Sequence, residues 1–221
     1  YNFTLPKIIK MNNKLFKIAL SGLALASGSL FAADASINHY VAVKGAFMKP
    51  GSRNGAKYKN GGMGDVEFGI SYDAWRLGLE LSYRQAKVKE WDNKSIQGVK
   101  FKALAGMINV YYDYALTEEC SLYLGAGLGV AQCGYNSKDL TLNQLFNVHN
   151  NNKLDLTKTV FAWQVMAGLG YEINENWTVE AGYKLFNTSK IKAGNTNMQN
   201  GKNSQKTPFC HAIELGLRYN F

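Results

Sequence analysis

A two-residue alternation that recurs eight times constrains this chain more than any other property. From Trp75 to Arg84, Leu77, Leu79, Leu81 and Tyr83 form one set, and Gly78, Glu80, Ser82 and Arg84 form the other. A period of two is the signature of a strand with two unlike faces. One face must be wet or must line an interior, and the leucines then face a core or a lipid.

The same pattern recurs along the rest of the chain. The first strand is expected near His39 to Met48, with Val41, Val43 and Phe47 on one face. The second sets Val66, Phe68, Ile70 and Tyr72 against Glu67, Gly69 and Ser71, and the third is the stretch above, extended to about Lys89. The fourth, near Val99 to Tyr114, sets Leu104, Ile108, Val110, Tyr112 and Tyr114 against Ala105, Asn109 and Asp113. In the fifth, Leu122, Leu124, Ala126, Leu128 and Val130 oppose Gly125, Gly127, Gly129 and Ala131. In the sixth, near Lys158 to Ile173, Phe161, Trp163, Val165, Leu169 and Tyr171 oppose Gln164, Gly168 and Gly170. The seventh sets Val179, Ala181, Tyr183 and Leu185 against Thr178, Glu180, Gly182 and Lys184. The eighth sets Ile213, Leu215, Leu217, Tyr219 and Phe221 against Glu214, Gly216, Arg218 and Asn220.

Each strand reaches the roughly 9 to 11 residues that a tilted membrane strand needs. The connections alternate. Those near 73–75, 115–120 and 174–176 are short. Those near 49–64, 90–98, 136–156 and 187–207 are longer and polar. All four long loops therefore fall on one side, as in a membrane barrel with short inner turns and long outer loops. The mean hydropathy of −0.23 is compatible with this, because only alternate residues meet lipid.

The non-leucine face decides the question. Three glycines in register would weaken an exposed strand to no advantage, but inside a narrow barrel they make room for large neighbours. Glu67, Glu80, Asp113, Glu180 and Glu214 share this face with Arg84, Lys184 and Arg218. Inside a lumen the two signs can pair, whereas unpaired buried charges would be costly. Tyr72, Tyr114, Tyr171, Trp177 and Tyr219 sit at turn-proximal strand ends, where an aromatic girdle meets the membrane interface. The expected fold is an all-β, eight-stranded antiparallel up-and-down transmembrane β-barrel.

With "LGLELSYR", "VEAGYKLF", "SLYLGAGLGVA" and the terminal "LGLRYNF", the chain resembles the small outer-membrane β-barrels of Gram-negative bacteria. These include opacity-type proteins and related surface antigens. The resemblance spans nearly all of the exported part. It implies that Leu217, Tyr219 and Phe221 form a barrel-assembly signal read by the barrel-assembly machinery. It also implies residence among outer-membrane lipid and lipopolysaccharide. The peptidoglycan-binding domain of larger relatives is not expected.

Ahead of the strands, Lys14 and Lys17 precede an apolar run from Ile18 to Phe31 and the small residues Ala32, Ala33 and Ala35. This reads as a secretory signal peptide over 11–35, cleaved after Ala35 or at Ala32 or Ala33. Residues 1–10 read as an upstream extension, and 36–221 as the barrel. The whole-chain charge is +9. Lys7, Lys10, Lys14 and Lys17 lie before residue 34, so 25 basic residues less these four face 16 acids, which leaves +5 from residue 34 onward. Neither that charge nor export suits a nucleic-acid partner. Cys120, Cys133 and Cys210 allow at most one internal bridge. Cys133 with Cys210 is the pair that strand parity directs inward.

Catalytic chemistry finds little support. "GAGLGVA" lies within a strand, with no helix to complete an anion site. His39, His149 and His211 have no nucleophile at a usable spacing, and no His/Cys cluster suits a metal. The acids are better read as lumen ion pairs than as catalytic carboxylates. No enzyme, cofactor or metal site is expected. Basic loop residues (Lys49, Arg53, Lys57 and Lys59, then Lys190, Lys192, Lys202 and Lys206) suit solvation or contact with an anionic surface ligand. Leu140, Leu142, Leu145 and Phe146 have nearly helical spacing in the third loop. The expected role is that of a surface antigen, adhesin or envelope-integrity protein acting through four loops. A narrow porin-like channel is the first alternative and a lipid-modifying enzyme the second.

Overall fold

In the computed structural model, the described residues are 37–52, 56–91, 94–95, 100–136, 155–189, 191–192, 204–205 and 208–221. The expected export signal, the third-loop hydrophobic run, and Arg53, Lys190, Lys202 and Lys206 lie outside them.

Eight long strands form the fold: β1 (Ile37–Pro50), β2 (Ala56–Tyr72), β3 (Trp75–Trp91), β4 (Lys100–Ala115), β5 (Cys120–Asn136), β6 (Asp155–Glu172), β7 (Trp177–Thr188) and β8 (Cys210–Asn220). Each pairs antiparallel with its sequence neighbours, and β1 pairs with β8 from Tyr40↔Asn220 to Pro50↔Cys210, so the sheet closes on itself. Closure removes both sheet edges, which is what makes β-structure tolerable in hydrocarbon.

The short connections behave as turn chemistry predicts. Asp73 takes a left-handed φ of 51° between β2 and β3, a conformation Asp tolerates better than most residues. In the β4–β5 turn, Leu116 N and Thr117 N donate to Cys120 O, and the Thr117 hydroxyl accepts from Cys120 N. In the β6–β7 turn, Asn174 Oδ1 accepts from Asn176 N and Trp177 N.

One expected loop shrinks. Residues 49–64 read as a long polar connection, but β1 runs to Pro50 and β2 starts at Ala56, so Lys49, Lys57 and Lys59 belong to strands. The glycines and asparagine of "KYKNGGMG" suggested a loop. Instead the strand continues through a register shift between Tyr58 and Gly61, an irregularity that glycine accommodates.

The outer wall is apolar. Phe47 is 78% exposed and Ile213 73%, and Val43, Phe68, Ile108, Leu128, Leu169 and Leu215 are likewise exposed. A wall of this kind is stable only against lipid. The opposite face of every strand is buried.

Candidate functional site

The lumen is filled in two tiers. The charged tier begins near the short turns. Glu180 on β7 lies between three cations: Lys44 Nζ at 2.7 Å, Arg76 Nη1 at 2.9 Å and Arg218 Nε at 3.4 Å. Arg76 also donates from Nε (2.5 Å) and Nη2 (2.8 Å) to the two oxygens of Asp113. Such a fork fixes geometry as well as charge. The rings of Tyr40, Tyr111 and Tyr123 surround the Arg76 guanidinium, with centroids at 5.7, 4.7 and 5.6 Å.

Higher along the barrel the signs reverse. Lys184 lies among three carboxylates: Asp65 and Glu80 at 3.1 Å, and Glu214 at 3.0 Å. Glu80 also accepts from Gln164 Nε2 (2.7 Å) and Asn109 Nδ2 (3.0 Å), and faces Arg84 at 3.6 Å. Glu67 is held by neutral donors: the Tyr40 hydroxyl at 2.8 Å, and the Tyr111 hydroxyl and Asn109 Nδ2 at 2.6 Å each.

Glycines make this filling possible. A Cβ on Gly125 would run into the Tyr111 ring and come within 3.0 Å of Met166 Cε, and one on Gly127 would strike Asn109. The glycine row of β5 is thus the floor on which the large residues of β4 lie.

Above Arg84 the lumen turns apolar. The Arg84 guanidinium stacks 3.5 Å from the Phe186 centroid. Met48, Phe101, Met107, Cys133, Cys210 and several alanines form one buried cluster. All three cysteines are free thiols, so the Cys133–Cys210 bridge is not formed; β5 and β8 are not neighbours in the sheet. Cys120 is half-buried, while Cys133 and Cys210 are 1% and 2% exposed. A maleimide is therefore expected to react with one thiol per folded barrel and with three after unfolding. Three fast thiols in the folded protein would mean that the upper lumen is open to water.

The structure brings Glu67, Glu80, Arg84, Asp113, Glu180, Lys184, Glu214 and Arg218 together on the inner face. It adds Lys44, Asp65 and Arg76, together with Tyr40, Tyr111, Tyr123, Asn109 and Gln164. Lys44 lies opposite Val43 in parity, but a lone lysine in an apolar strand gave no sign of a partner. Arg76 sits at a strand end, where alternation has barely begun, and Asp65 falls just ahead of the apolar alternation read for the second strand, although β2 itself starts earlier, at Ala56. On the outside, Tyr72, Tyr114, Tyr171 and Trp177 are exposed at the turn end and Tyr219 is half-exposed. The Trp177 and Tyr219 rings meet at 4.8 Å with their planes tilted by 60°. Leu217, Tyr219 and Phe221 share the outer face of β8, and Phe221 N donates to His39 O. His211 meets the Tyr183 hydroxyl on the outer wall, and His149 lies outside the described residues. Among the described residues, no three His, Cys, Asp or Glu side chains are grouped to hold a metal ion.

Comparison with known proteins agrees with this geometry. The family described as "Outer membrane protein beta-barrel domain" matches residues 19–221. The virulence membrane protein PagC of Salmonella typhimurium (strain LT2) is 32% identical over 101 residues, which is 45% of this chain and 50% of that protein. The outer membrane protein PagN of the same organism is 29% identical over 85 residues, 38% of this chain and 34% of that protein. The chain thus spans between a third and a half of these relatives' lengths. The crystal structure of Neisserial surface protein A superposes with a TM-score of 0.59 at 18% identity, covering 83% of this chain and 97% of that one.

Proposed function

The chain belongs to the outer-membrane β-barrel family, and from that premise we propose that it is a closed-lumen surface protein acting through its long-loop end rather than through a pore or a catalytic centre. Localisation to the outer membrane follows from family and fold. One observation carries the reading of a closed lumen: every inner charge described above is taken up by an opposite charge or a hydrogen-bond donor, and an apolar tier lies above them. An eight-stranded barrel has an interior only wide enough for side chains, and here side chains fill it. What is left for function is the surface beyond the membrane.

An adhesive or antigenic role is the finer part of the proposal. It is supported by the relative described as a virulence membrane protein. Insertion by the barrel-assembly machinery is supported by the outward row Leu217, Tyr219 and Phe221 on the last strand. The acids are read as structural because their described neighbours are fixed cations or, at Glu67, neutral hydrogen-bond donors, with no nucleophile and base paired beside them among the described residues.

Planar-bilayer recording of the refolded protein tests the closed lumen. No discrete current steps are expected from protein shown to be folded. Reproducible steps would replace this reading with a narrow channel whose selectivity rests on Glu80, Arg84, Glu180 and Lys184.

A further inference from the structure

Exposed charge on the barrel is sorted by sign. Among the described side chains, Asp73, Glu118, Glu119, Glu172 and Glu175 are exposed at the short turns. Lys49, Lys57, Lys59, Lys87, Lys89 and Lys100 are exposed at the opposite end, with Lys102 half-exposed beside them. Every other described lysine or arginine side chain is buried in the lumen. Two stretches of one chain have therefore acquired opposite exposed charge at opposite membrane surfaces.

The basic end is concentrated on the outside of the β3–β4 hairpin. Lys87 pairs in register with Lys100, and Gln85 with Lys102. Like charges directly opposite on one face of a sheet destabilise it unless an anion lies between them. No described acid supplies that anion. Glu90, the one acidic side chain described at this end, is engaged by Lys57 at 2.7 Å and Lys89 at 3.6 Å. The Lys57 hydrogen bond holds its carboxyl below the ordinary range. Lys87, Lys100 and Lys102 form no ion pair with a described residue.

Their height identifies the partner. Directly below Lys102 and Gln85 comes the pair Leu104 and Tyr83, then Leu81 with Gly106 and Leu79 with Ile108, the apolar wall that meets lipid. At about 3.3 Å per residue Lys102 stands roughly 7 Å along its strand from that wall, and Lys87 and Lys100 roughly 13 Å. They project sideways from the barrel rather than from a loop tip. That is where the charged groups of a lipid in the outer leaflet lie.

We propose that Lys87, Lys100 and Lys102 form a binding site for the phosphates of an outer-leaflet glycolipid packed against the β3–β4 wall. The site rests on the reading that the long-loop end faces outward. It would seat the barrel at a fixed depth and give the lipid a specific position on one side of it.

The test uses the refolded full barrel in phosphatidylcholine nanodiscs, titrated with diphosphoryl lipid A and with its monophosphoryl form. Wild type is expected to bind the diphosphoryl form more tightly. The triple variant K87Q/K100Q/K102Q is expected to bind it roughly a hundredfold more weakly at low salt, on the basis of the contribution of a lysine near an anionic surface. The arginine variant K87R/K100R/K102R should keep wild-type affinity. Gel mobility before and after boiling reports that each variant is folded. Equal lipid A affinity in the wild type and the glutamine variant would overturn the proposal. So would loss confined to a soluble sulfated polysaccharide, which would make the patch a glycan surface instead. Labelling of the intact cell surface at Lys87 separates the two readings. If that end is not reached from outside, the orientation fails. If it is reached and lipid A binding is unchanged, only the lipid site fails.

Discussion

Replacing Glu180 with alanine is expected to destabilise the folded barrel by roughly 3–5 kcal/mol, the usual cost of stranding buried charge. Glu180 is 2% exposed and neutralises Lys44, Arg76 and Arg218 together. The loss is not that of one contact. Arg76 keeps Asp113, but Lys44 retains no described carboxylate within ion-pair distance. Urea unfolding in lipid vesicles, followed by tryptophan fluorescence, measures it. Two comparisons define the mechanism. Glu90→Ala, which breaks the solvent-exposed pair with Lys57, should cost far less than E180A. The double variant K44M/E180M should recover much of the loss, because a buried ion pair replaced by apolar groups of similar size is often tolerated. If E180A unfolded at the wild-type urea concentration, the lower tier would have to be hydrated, and the closed-lumen reading would fail with it.

Gly125→Val is expected to be comparably damaging for a different reason. Its side chain would enter the space of the Tyr111 ring, which lies 4.7 Å from Arg76 and whose hydroxyl donates to Glu67. Overpacking a filled interior costs about 1–3 kcal/mol by itself, and displacing Tyr111 adds a lost hydrogen bond to a charged acceptor. The sum is roughly 3 kcal/mol or more. Gly106→Val is the control. It is also a glycine in a wall strand, but a Cβ there meets nothing within 4 Å, so its stability should stay near wild type. Adding Tyr111→Ala to Gly125→Val should restore part of the loss. Equal stability of the two glycine variants would show that the β5 row is not the floor of the lumen filling.

The sequence discloses sides better than partners. The alternation in "WRLGLELSYR" places Glu80 and Arg84 inward because parity is local and survives any closure of the sheet. The meeting of Lys184 with Asp65 is a different kind of fact. The two are 119 residues apart, and only the number of strands and their stagger bring them together. The run "VYYDY" shows the limit from another side: Tyr111 is buried beneath the lumen network while Tyr112 and Tyr114 face lipid, yet all three read alike by residue type. Residues 56–64 read as loop because glycine and asparagine signal turns, but a bulged strand uses the same residues.

The interior network also bears on how the wall can come apart. Lys44 stands on β1 and Glu180 on β7, with β8 between them. Lys184 on β7 likewise reaches Asp65 on β2 and Glu80 on β3, across both β8 and β1. The join between the first and last strands is therefore cross-stitched from behind by pairs that belong to neither side alone. Parting that join would break its ladder and expose five separated ions to hydrocarbon at once. A sideways exit for a lipid or a peptide through this seam is thereby closed, and traffic past the protein must go around it.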